Sequence, residues 1–267
     1  GLQAVKAQLQ QIRSSVLVAK AQAQAKGEEA ALGLGTHFVF YGNPGTGKTT
    51  VARLLGRILK ELEVLPEDRV TVAERAQLVA GYVGQTAIKT NQLIDQALGG
   101  ILFIDEAYSL APASENDFGK EAIDTLLTRM ENDRGRFVVI AAGYRDEMQH
   151  FINSNPGLQS RFNSFLDFTD YQPTELRQIF DYMLQQRGYQ LQVSEEDQQR
   201  INAFFEQMYA RRGEKFGNAR DVRNALDQLL SLHSQRLAPL LATRPEHPEL
   251  FLITATDLSA WLAQTPN

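Results

Sequence analysis

Two short segments carry the residue types of a phosphate-binding site. The first reads GNPGTGKT from Gly42 to Thr49, a complete GxxxxGKT between an apolar run and a helical pattern. In such a loop the glycines let backbone N–H groups turn toward phosphate oxygens, and the following helix adds the positive end of its dipole. Lys48 would reach the β and γ phosphates, and the Thr49 hydroxyl would bind magnesium. The residues predicted to contact the nucleotide are Asn43, Pro44, Gly45, Thr46, Gly47, Lys48, Thr49 and Thr50.

The second segment supplies carboxylates. The apolar run 101–104 ends in Asp105 and Glu106, the arrangement of a Walker B strand. Asp105 would hold the magnesium shell, and Glu106 would polarise and orient the attacking water. Adjacent acids at a strand end are also common as solvated turn residues, so it is the phosphate loop that favours the functional interpretation.

The elements that must position these residues follow from hydrophobic periodicity. Five apolar runs alternate with helical patterns, which predicts a parallel sheet wrapped by helices. The predicted strands are 37–41, 70–73, 101–104, 137–142 and 165–168. An amphipathic helix over 2–26 and a glycine-dotted linker at 33–36 precede them.

Beyond Pro173 the pattern becomes helix upon helix, over 174–187, 194–212 and 219–236. A loop with three prolines at 239–250, a short strand at 251–253 and a last helix capped at Thr256 follow. We therefore expect an α/β nucleotide-binding subdomain over 1–171, with the first helix and linker at 1–30, and a helical subdomain over 172–267.

Composition excludes several function classes. The chain has 267 residues, a formal charge of −5 and no cysteine, so disulfides, thiolate nucleophiles and cysteine metal sites are absent. The charge offers no global basic field for nucleic acid or anionic lipid. We expect no membrane span and a cytoplasmic location. The chain opens on Gly1 rather than Met, and we expect it to be trimmed at its N-terminus.

With these motifs in hand, the sequence resembles the AAA+ ATPases, and more narrowly the CbxX/CfxQ family of red-type Rubisco activases, sporulation stage V protein K and type VII secretion ATPases. The resemblance covers nearly the whole chain. The stretches that carry it are GNPGTGKTT, GYVGQTA, GGILFIDEAYSL, DFGKEAIDTLLTRMEN, VVIAAGY, SNPGLQSRF and GNARDVRN. It implies a five-stranded parallel P-loop AAA+ core with a C-terminal helical lid, and ATP and Mg2+ as cofactors.

The resemblance also implies roles that spacing alone does not assign. Arg161 matches the arginine finger, which reaches the γ-phosphate of the neighbouring subunit, and Arg220 matches the sensor 2 position on the lid. The implied catalytic set is Lys48, Asp105, Glu106, Arg161 and Arg220. For Arg220 a surface ion-pair network with Arg223 and Asp227, at helical spacing, remains an alternative.

Two further positions follow from the family pattern. Tyr82 and Val83, in Gly81-Tyr82-Val83-Gly84, match the aromatic pore loop that grips an extended polypeptide in the central channel of a ring. Sensor 1 departs from the superfamily, since the fourth strand ends in Ala142-Gly143-Tyr144 where most AAA+ proteins place an Asn. The Tyr144 hydroxyl is one candidate for that role.

The resemblance implies magnesium-dependent ATP hydrolysis in a homo-oligomeric ring, a hexamer, that remodels a protein client, with a Rubisco-activase-like chaperone among the possibilities. A nucleotide-gated regulatory or secretion-system module with little motor activity is the alternative. A nucleic-acid motor is a third class, which the charge of −5 and the aromatic pore loop disfavour.

Overall fold

The computed structural model describes residues 2–26, 37–82, 84–112, 117–241 and 246–264. The chain forms two compact units. One contains residues up to 42 together with 47–169, and the other contains 43–46 together with the chain from 170 onward. Residues 27–36, which include the predicted linker, lie outside the described ranges, as does Val83.

The first unit is built on a parallel sheet of five strands in the order β2-β3-β4-β1-β5. The strands are β1 His37–Gly42, β2 Val70–Ala73, β3 Ile101–Ile104, β4 Val138–Gly143 and β5 Phe162–Phe168. Strands β3 and β4 are buried along their whole length, as expected for a parallel sheet covered on both faces. The predicted fold class is confirmed, and each of the five predicted strands overlaps an observed one.

Helices cover both faces of this sheet. The helices of this unit are α1 Gln3–Lys26, α2 Lys48–Glu61, α3 Arg75–Leu78, α4 Thr86–Ala97, α5 Gly119–Asn132, α6 Arg145–Asn153 and α7 Pro156–Arg161. Helices α1 and α2 pack on one face of the sheet, and α3 to α7 contribute to the core on the other face. None of the helices in the described ranges has the length and apolar character to cross a bilayer.

The second unit is mainly helical. Its elements are α8 Pro173–Gln186, β6 Gln190–Gln192, α9 Glu195–Ala210, α10 Ala219–Leu241, β7 Leu252–Thr254 and α11 Ala255–Gln264. Aliphatic and aromatic side chains share its core, where the Trp261 ring is centred 4.5 Å from that of Phe204 and stacked 5.9 Å from that of Phe180. Strands β6 and β7 form a short parallel pair.

The structure departs from the sequence expectations at four places. Strand β5 begins at Phe162 rather than 165, because only one of its faces is buried and its apolar run is therefore broken. Helix α10 continues through Pro239 to Leu241, into the predicted loop. Strand β6 is half exposed and carries no apolar run. Thr256 lies inside α11, and Thr254 precedes that helix with its N–H and hydroxyl both bonded to Asp257.

Candidate functional site

The loop that follows β1 belongs to two compact units, residues 43–46 to one and the chain from Gly47 to the other. Its first residues belong to the compact unit that contains the lid, where the Asn218 side chain donates to the carbonyl of Pro44 at 3.4 Å and Ala219 N–H donates to that of Gly45 at 3.3 Å. Gly45 has φ +70, and a Cβ there would lie 2.1 Å from the carbonyl oxygen of Gly217. Only glycine satisfies both conditions.

The second half of the loop becomes the start of α2. Gly47 adopts a left-handed conformation at the N-cap, with φ 95, and Lys48 is the first helical residue. Gly47 offers no side chain to cap the helix, so a phosphate would supply the acceptor that N-cap side chains provide elsewhere. The Lys48 ammonium donates to the carbonyl of Gly42 at 2.6 Å. Thr49 is half-buried and Thr50 is exposed.

Strand β3 delivers the two carboxylates. It is fully buried and ends at Ile104, after which Asp105 is half-buried and Glu106 is exposed. The Asp105 N–H donates to the carbonyl of Ala73 at 2.8 Å, which extends the β2–β3 ladder by one residue. Glu106 has φ 49 and ψ 44, a left-handed conformation that strains a residue with a side chain. Strain of this kind is concentrated at functional sites.

Sheet topology brings the loop and the carboxylates together at the carboxyl ends of the strands. Strands β3, β4 and β1 are adjacent and parallel, so their carboxyl ends meet at one end of the sheet. Lys48 and Thr49 follow β1, and Asp105 and Glu106 follow β3. An ammonium, a hydroxyl and two carboxylates therefore share this end of the sheet, the place where open α/β sheets bind ligands.

Arg161 lies at the opposite end of the same sheet, where the strands begin. It immediately precedes β5, whose first residue pairs with His37 at the start of β1. The terminal nitrogens of Arg161 lie 3.2 Å from a carboxylate oxygen of Glu131 and 3.4 Å from the carbonyl of Gly157. A strand of this length spans roughly 17 Å at about 3.3 Å per residue, so Arg161 is too far from Lys48 of its own chain to share a site with it.

The end of β4, where the sequence predicts sensor 1, contains an aromatic contact that the sequence does not reveal. The Tyr108 ring, from the turn after Glu106, lies against Gly143 at the end of β4, where a Cβ would come 2.7 Å from ring carbon Cδ1. Tyr144 follows, with its ring centroid 6.1 Å from that of Tyr108. Burial, reinforced by the negative charge of Glu106, raises the pKa of Tyr108 to about 12, so its hydroxyl stays protonated. Two tyrosine side chains, Tyr108 and Tyr144, therefore lie next to the end of β4.

A buried polar network ties the first half of the loop to the start of α10. The Asn218 side chain, fully buried, donates to a carboxylate oxygen of Asp170 at 2.7 Å and accepts from Tyr171 N–H at 2.9 Å. Asn43 donates to the same carboxylate oxygen at 2.9 Å, and the Tyr171 hydroxyl donates to the carbonyl of Thr46 at 2.9 Å. Sequence reasoning gave Asp170 and Tyr171 no role and named Asn218 only within GNAR.

Two further predicted residues, Arg220 and Tyr82, are both exposed. Arg220 is exposed in the first turn of α10. Asp227 pairs with Arg187 at 2.6 Å, and not with Arg220 or Arg223 as the ion-pair alternative requires. Tyr82 is 74% exposed in the segment between α3 and α4, and its predicted partner Val83 falls outside the described residues.

Comparison with known proteins agrees with this geometry. Residues 38–170 match the ATPase family associated with various cellular activities (AAA), and residues 172–267 match the AAA lid domain. Protein CbxX (plasmid) of Cupriavidus necator is 46% identical, over 97% of this chain and 80% of that protein. Stage V sporulation protein K of Bacillus subtilis is 47% identical, over 84% of this chain and 68% of that protein.

A plastid relative and a solved structure extend the comparison. The chloroplastic ribulose bisphosphate carboxylase/oxygenase activase of Cyanidioschyzon merolae is 41% identical, over 97% of this chain and 86% of that protein. The crystal structure of the FIGL-1 AAA domain in complex with ADP superposes with a TM-score of 0.60 at 18% identity, over 98% of this chain and 80% of that one, which supports the fold. The chain therefore belongs to the CbxX/CfxQ family of AAA+ ATPases, enzymes that convert ATP and water to ADP and phosphate.

Proposed function

We propose that this protein hydrolyses ATP with Mg2+ in a hexameric ring of identical subunits and uses the energy to remodel a protein client through a central pore. One observation carries the proposal. Arg161 lies at the end of the sheet opposite Lys48, which supports a role toward the nucleotide of a neighbouring subunit rather than its own. An active site completed across an interface requires assembly.

The residues at the carboxyl ends of the strands fit ATP and a divalent cation. In the proposed site the loop from Asn43 to Thr50 cradles the phosphates, and Lys48 neutralises charge on the β and γ groups. The Thr49 hydroxyl and the Asp105 carboxylate are the oxygen donors that Mg2+ prefers. When bound there, Mg2+ would neutralise charge on the phosphate oxygens. Glu106, exposed and in a left-handed conformation directly after Asp105, would orient water for attack on the γ-phosphate.

The arginines complete the proposed mechanism. Arg161 of the next subunit would stabilise the charge that develops on the γ-phosphate, an effect worth about 10³-fold or more in related enzymes. For this it must exchange its pairing with Glu131 for the phosphate. Arg220 would report the nucleotide state to α10, whose start is fastened to the phosphate loop through Asn218.

Mixed rings test the shared active site. Lys48→Ala removes nucleotide binding but keeps the finger, whereas Arg161→Ala keeps the binding site but loses the finger. Each variant alone should be nearly inactive. In a 1:1 mixture about a quarter of the interfaces pair an intact site with an intact finger, so turnover should recover to roughly that fraction of the parent. The control is Arg134→Ala, which removes an exposed arginine of the same region and should leave ATP turnover at the parental value.

Two results would contradict the proposal. Mixtures that stay inactive, or an Arg161→Ala variant with parental turnover that does not vary with protein concentration, would show that no active site is shared. A nucleotide-gated regulatory module would then be the better description.

The client belongs to the same proposal. One relative is named an activase of ribulose bisphosphate carboxylase/oxygenase, which supports a protein client. Tyr82 is exposed where it can contact an extended chain. With unfolded β-casein as the probe, Tyr82→Ala should abolish the stimulation of ATP turnover, and Tyr82→Phe should keep it because the aromatic surface remains. Tyr182, exposed on α8, provides the matched control Tyr182→Ala. We also propose a cytoplasmic location, which cell fractionation would test.

A further inference from the structure

The turn that follows Glu106 is bonded to the segment that leads to Tyr82. This turn, Ala107–Leu110, is a short 3-10 helix in which Ser109 N–H donates to the carbonyl of Glu106 at 2.8 Å. The carbonyl of Ser109 accepts a hydrogen bond from Arg75 Nη1 at 2.5 Å. Arg75 is the first residue of α3, so a single side chain joins the two segments.

The Arg75 guanidinium is held on a second side. Its Nη2 donates to Asp117 Oδ1 at 2.6 Å, and the Asp117 side chain is only 9% exposed. The same oxygen accepts from Gly119 N–H at 2.7 Å. A Cβ at Gly119 would lie 2.2 Å from the carbonyl oxygen of Leu110 and 3.0 Å from Arg75 Nη1. The backbone is thus shaped around this guanidinium, unlike the setting of a solvated surface pair.

Between Arg75 and Ala80 the backbone is fastened to α4. The Lys89 ammonium donates to the carbonyls of Ala76 at 2.6 Å and Val79 at 3.2 Å. The Thr90 hydroxyl donates to the carbonyl of Leu78 at 2.9 Å, and the Thr86 hydroxyl accepts from Ala80 N–H at 3.0 Å. These bonds make α3 and the start of α4 one rigid piece.

Among the described residues that follow Ala80, side-chain packing is sparse, although the carbonyl of Tyr82 accepts a hydrogen bond from Gln85 N–H at 3.3 Å. A Cβ at Gly81 or Gly84 would meet no atom within 4 Å, and Tyr82 between them is 74% exposed. A displacement of the turn behind Glu106 would therefore be passed through Arg75 and α3 to the segment between α3 and α4 that contains Tyr82, here called the Tyr82 loop.

We propose that Arg75 is a positioning residue that couples the turn behind Glu106 to the Tyr82 loop, so that the nucleotide state sets the position of the loop. This inference rests on the proposed function, in which Glu106 contacts the hydrolytic water and Tyr82 the client. Arg75 touches neither.

The absence of cysteine in the chain permits a direct test. A Tyr82→Cys substitution labelled with an environment-sensitive fluorophore reports the loop, with ADP or a non-hydrolysable ATP analogue and Mg2+ at saturating concentration. The parent should show a fluorescence difference between the two nucleotides. Arg75→Met should reduce that difference about fivefold or more, and Arg75→Lys, which keeps the charge but not the two-sided contact, should reduce it about twofold. Arg69→Met, which removes an exposed arginine just before β2, should leave it unchanged.

Each outcome decides one question. A full fluorescence difference in Arg75→Met, with the parent responding, overturns the coupling role and leaves the proposed function intact. A parent that does not respond overturns the proposed function, and the coupling role with it. Should Arg75→Met fail to fold, as judged by its circular dichroism, Arg75→Lys carries the test, and an undiminished response in that variant overturns the inference.

Discussion

Glu106 and Gly143 show how backbone geometry limits the choice of residue at this site. Glu106 accepts a left-handed conformation that costs a residue with a side chain about 1–2 kcal/mol. Gly143 is the reverse case, a small residue required by its neighbour, because the Tyr108 ring occupies the space of a side chain. The glycine on β4 and the tyrosine on the turn after β3 therefore form a sterically matched pair.

This pairing predicts a clash and its rescue. Gly143→Asn should lower the free energy of unfolding by about 1–3 kcal/mol because the new side chain overlaps the Tyr108 ring. In the Tyr108→Ala background the same substitution should cost much less. Chemical denaturation of the two single variants and the double variant measures the coupling. Additive effects would show that the ring does not impose glycine at 143.

At the scale of elements, the start of α10 is fixed by a buried side chain rather than by helix propensity. Asn218 has φ 50 and directly precedes the helix. Its amide bonds to Asp170, Tyr171 and Pro44. Loss of partners for buried polar groups costs about 1–3 kcal/mol for each group.

Asn218→Ala should therefore destabilise the lid unit by about 2–4 kcal/mol and weaken nucleotide binding. Asn218→Gly loses the same hydrogen bonds but tolerates the positive φ, and should be about 1 kcal/mol more stable than the alanine variant. Trp261, the only tryptophan of the chain and buried in the lid core, reports unfolding by its fluorescence. Asn224→Ala, exposed on the same helix, is the control. Equal stability of the glycine and alanine variants would contradict the backbone argument.

At the scale of the whole molecule, stability should depend on pH through one buried histidine. His37 is 3% exposed, and its Nδ1 accepts the N–H of Val139. Burial, with a smaller contribution from the charge of Arg161, lowers the pKa of His37 to about 4. Between that value and an ordinary pKa of about 6.5, the unfolded chain binds a proton that the folded chain does not, so stability falls as the pH falls.

The expected loss between pH 7 and pH 4.5 is about 2 kcal/mol from this residue. His37→Asn keeps an acceptor and removes the titration, so it should flatten the dependence by that amount even if its stability at pH 7 is lower. Urea denaturation followed by circular dichroism at several pH values measures both quantities. Parallel curves for parent and variant would show that His37 is not the source.

The sequence by itself determined the family's nucleotide-binding motifs and the approximate positions of the five strands of the sheet. The GxxxxGKT loop and the carboxylates at the end of the run 101–104 are local patterns, because neighbouring residues along the chain form each half of the site. The five buried runs are equally local, since a strand covered on both faces must be apolar throughout. Strand β6 and the start of β5 are partly exposed and lack a continuous apolar run, so the sequence does not predict them.

Only the tertiary structure decided which distant residues meet. The Tyr108 ring against Gly143, the Asn43–Asp170–Asn218 network and the contact of Arg75 with Ser109 each join segments far apart in sequence. No periodicity encodes such pairs, because each depends on strand order and on side-chain packing. The position of Arg161 opposite Lys48 has the same origin. Because β5 pairs in parallel with β1, Arg161 before β5 and Lys48 after β1 lie at opposite ends of the strands.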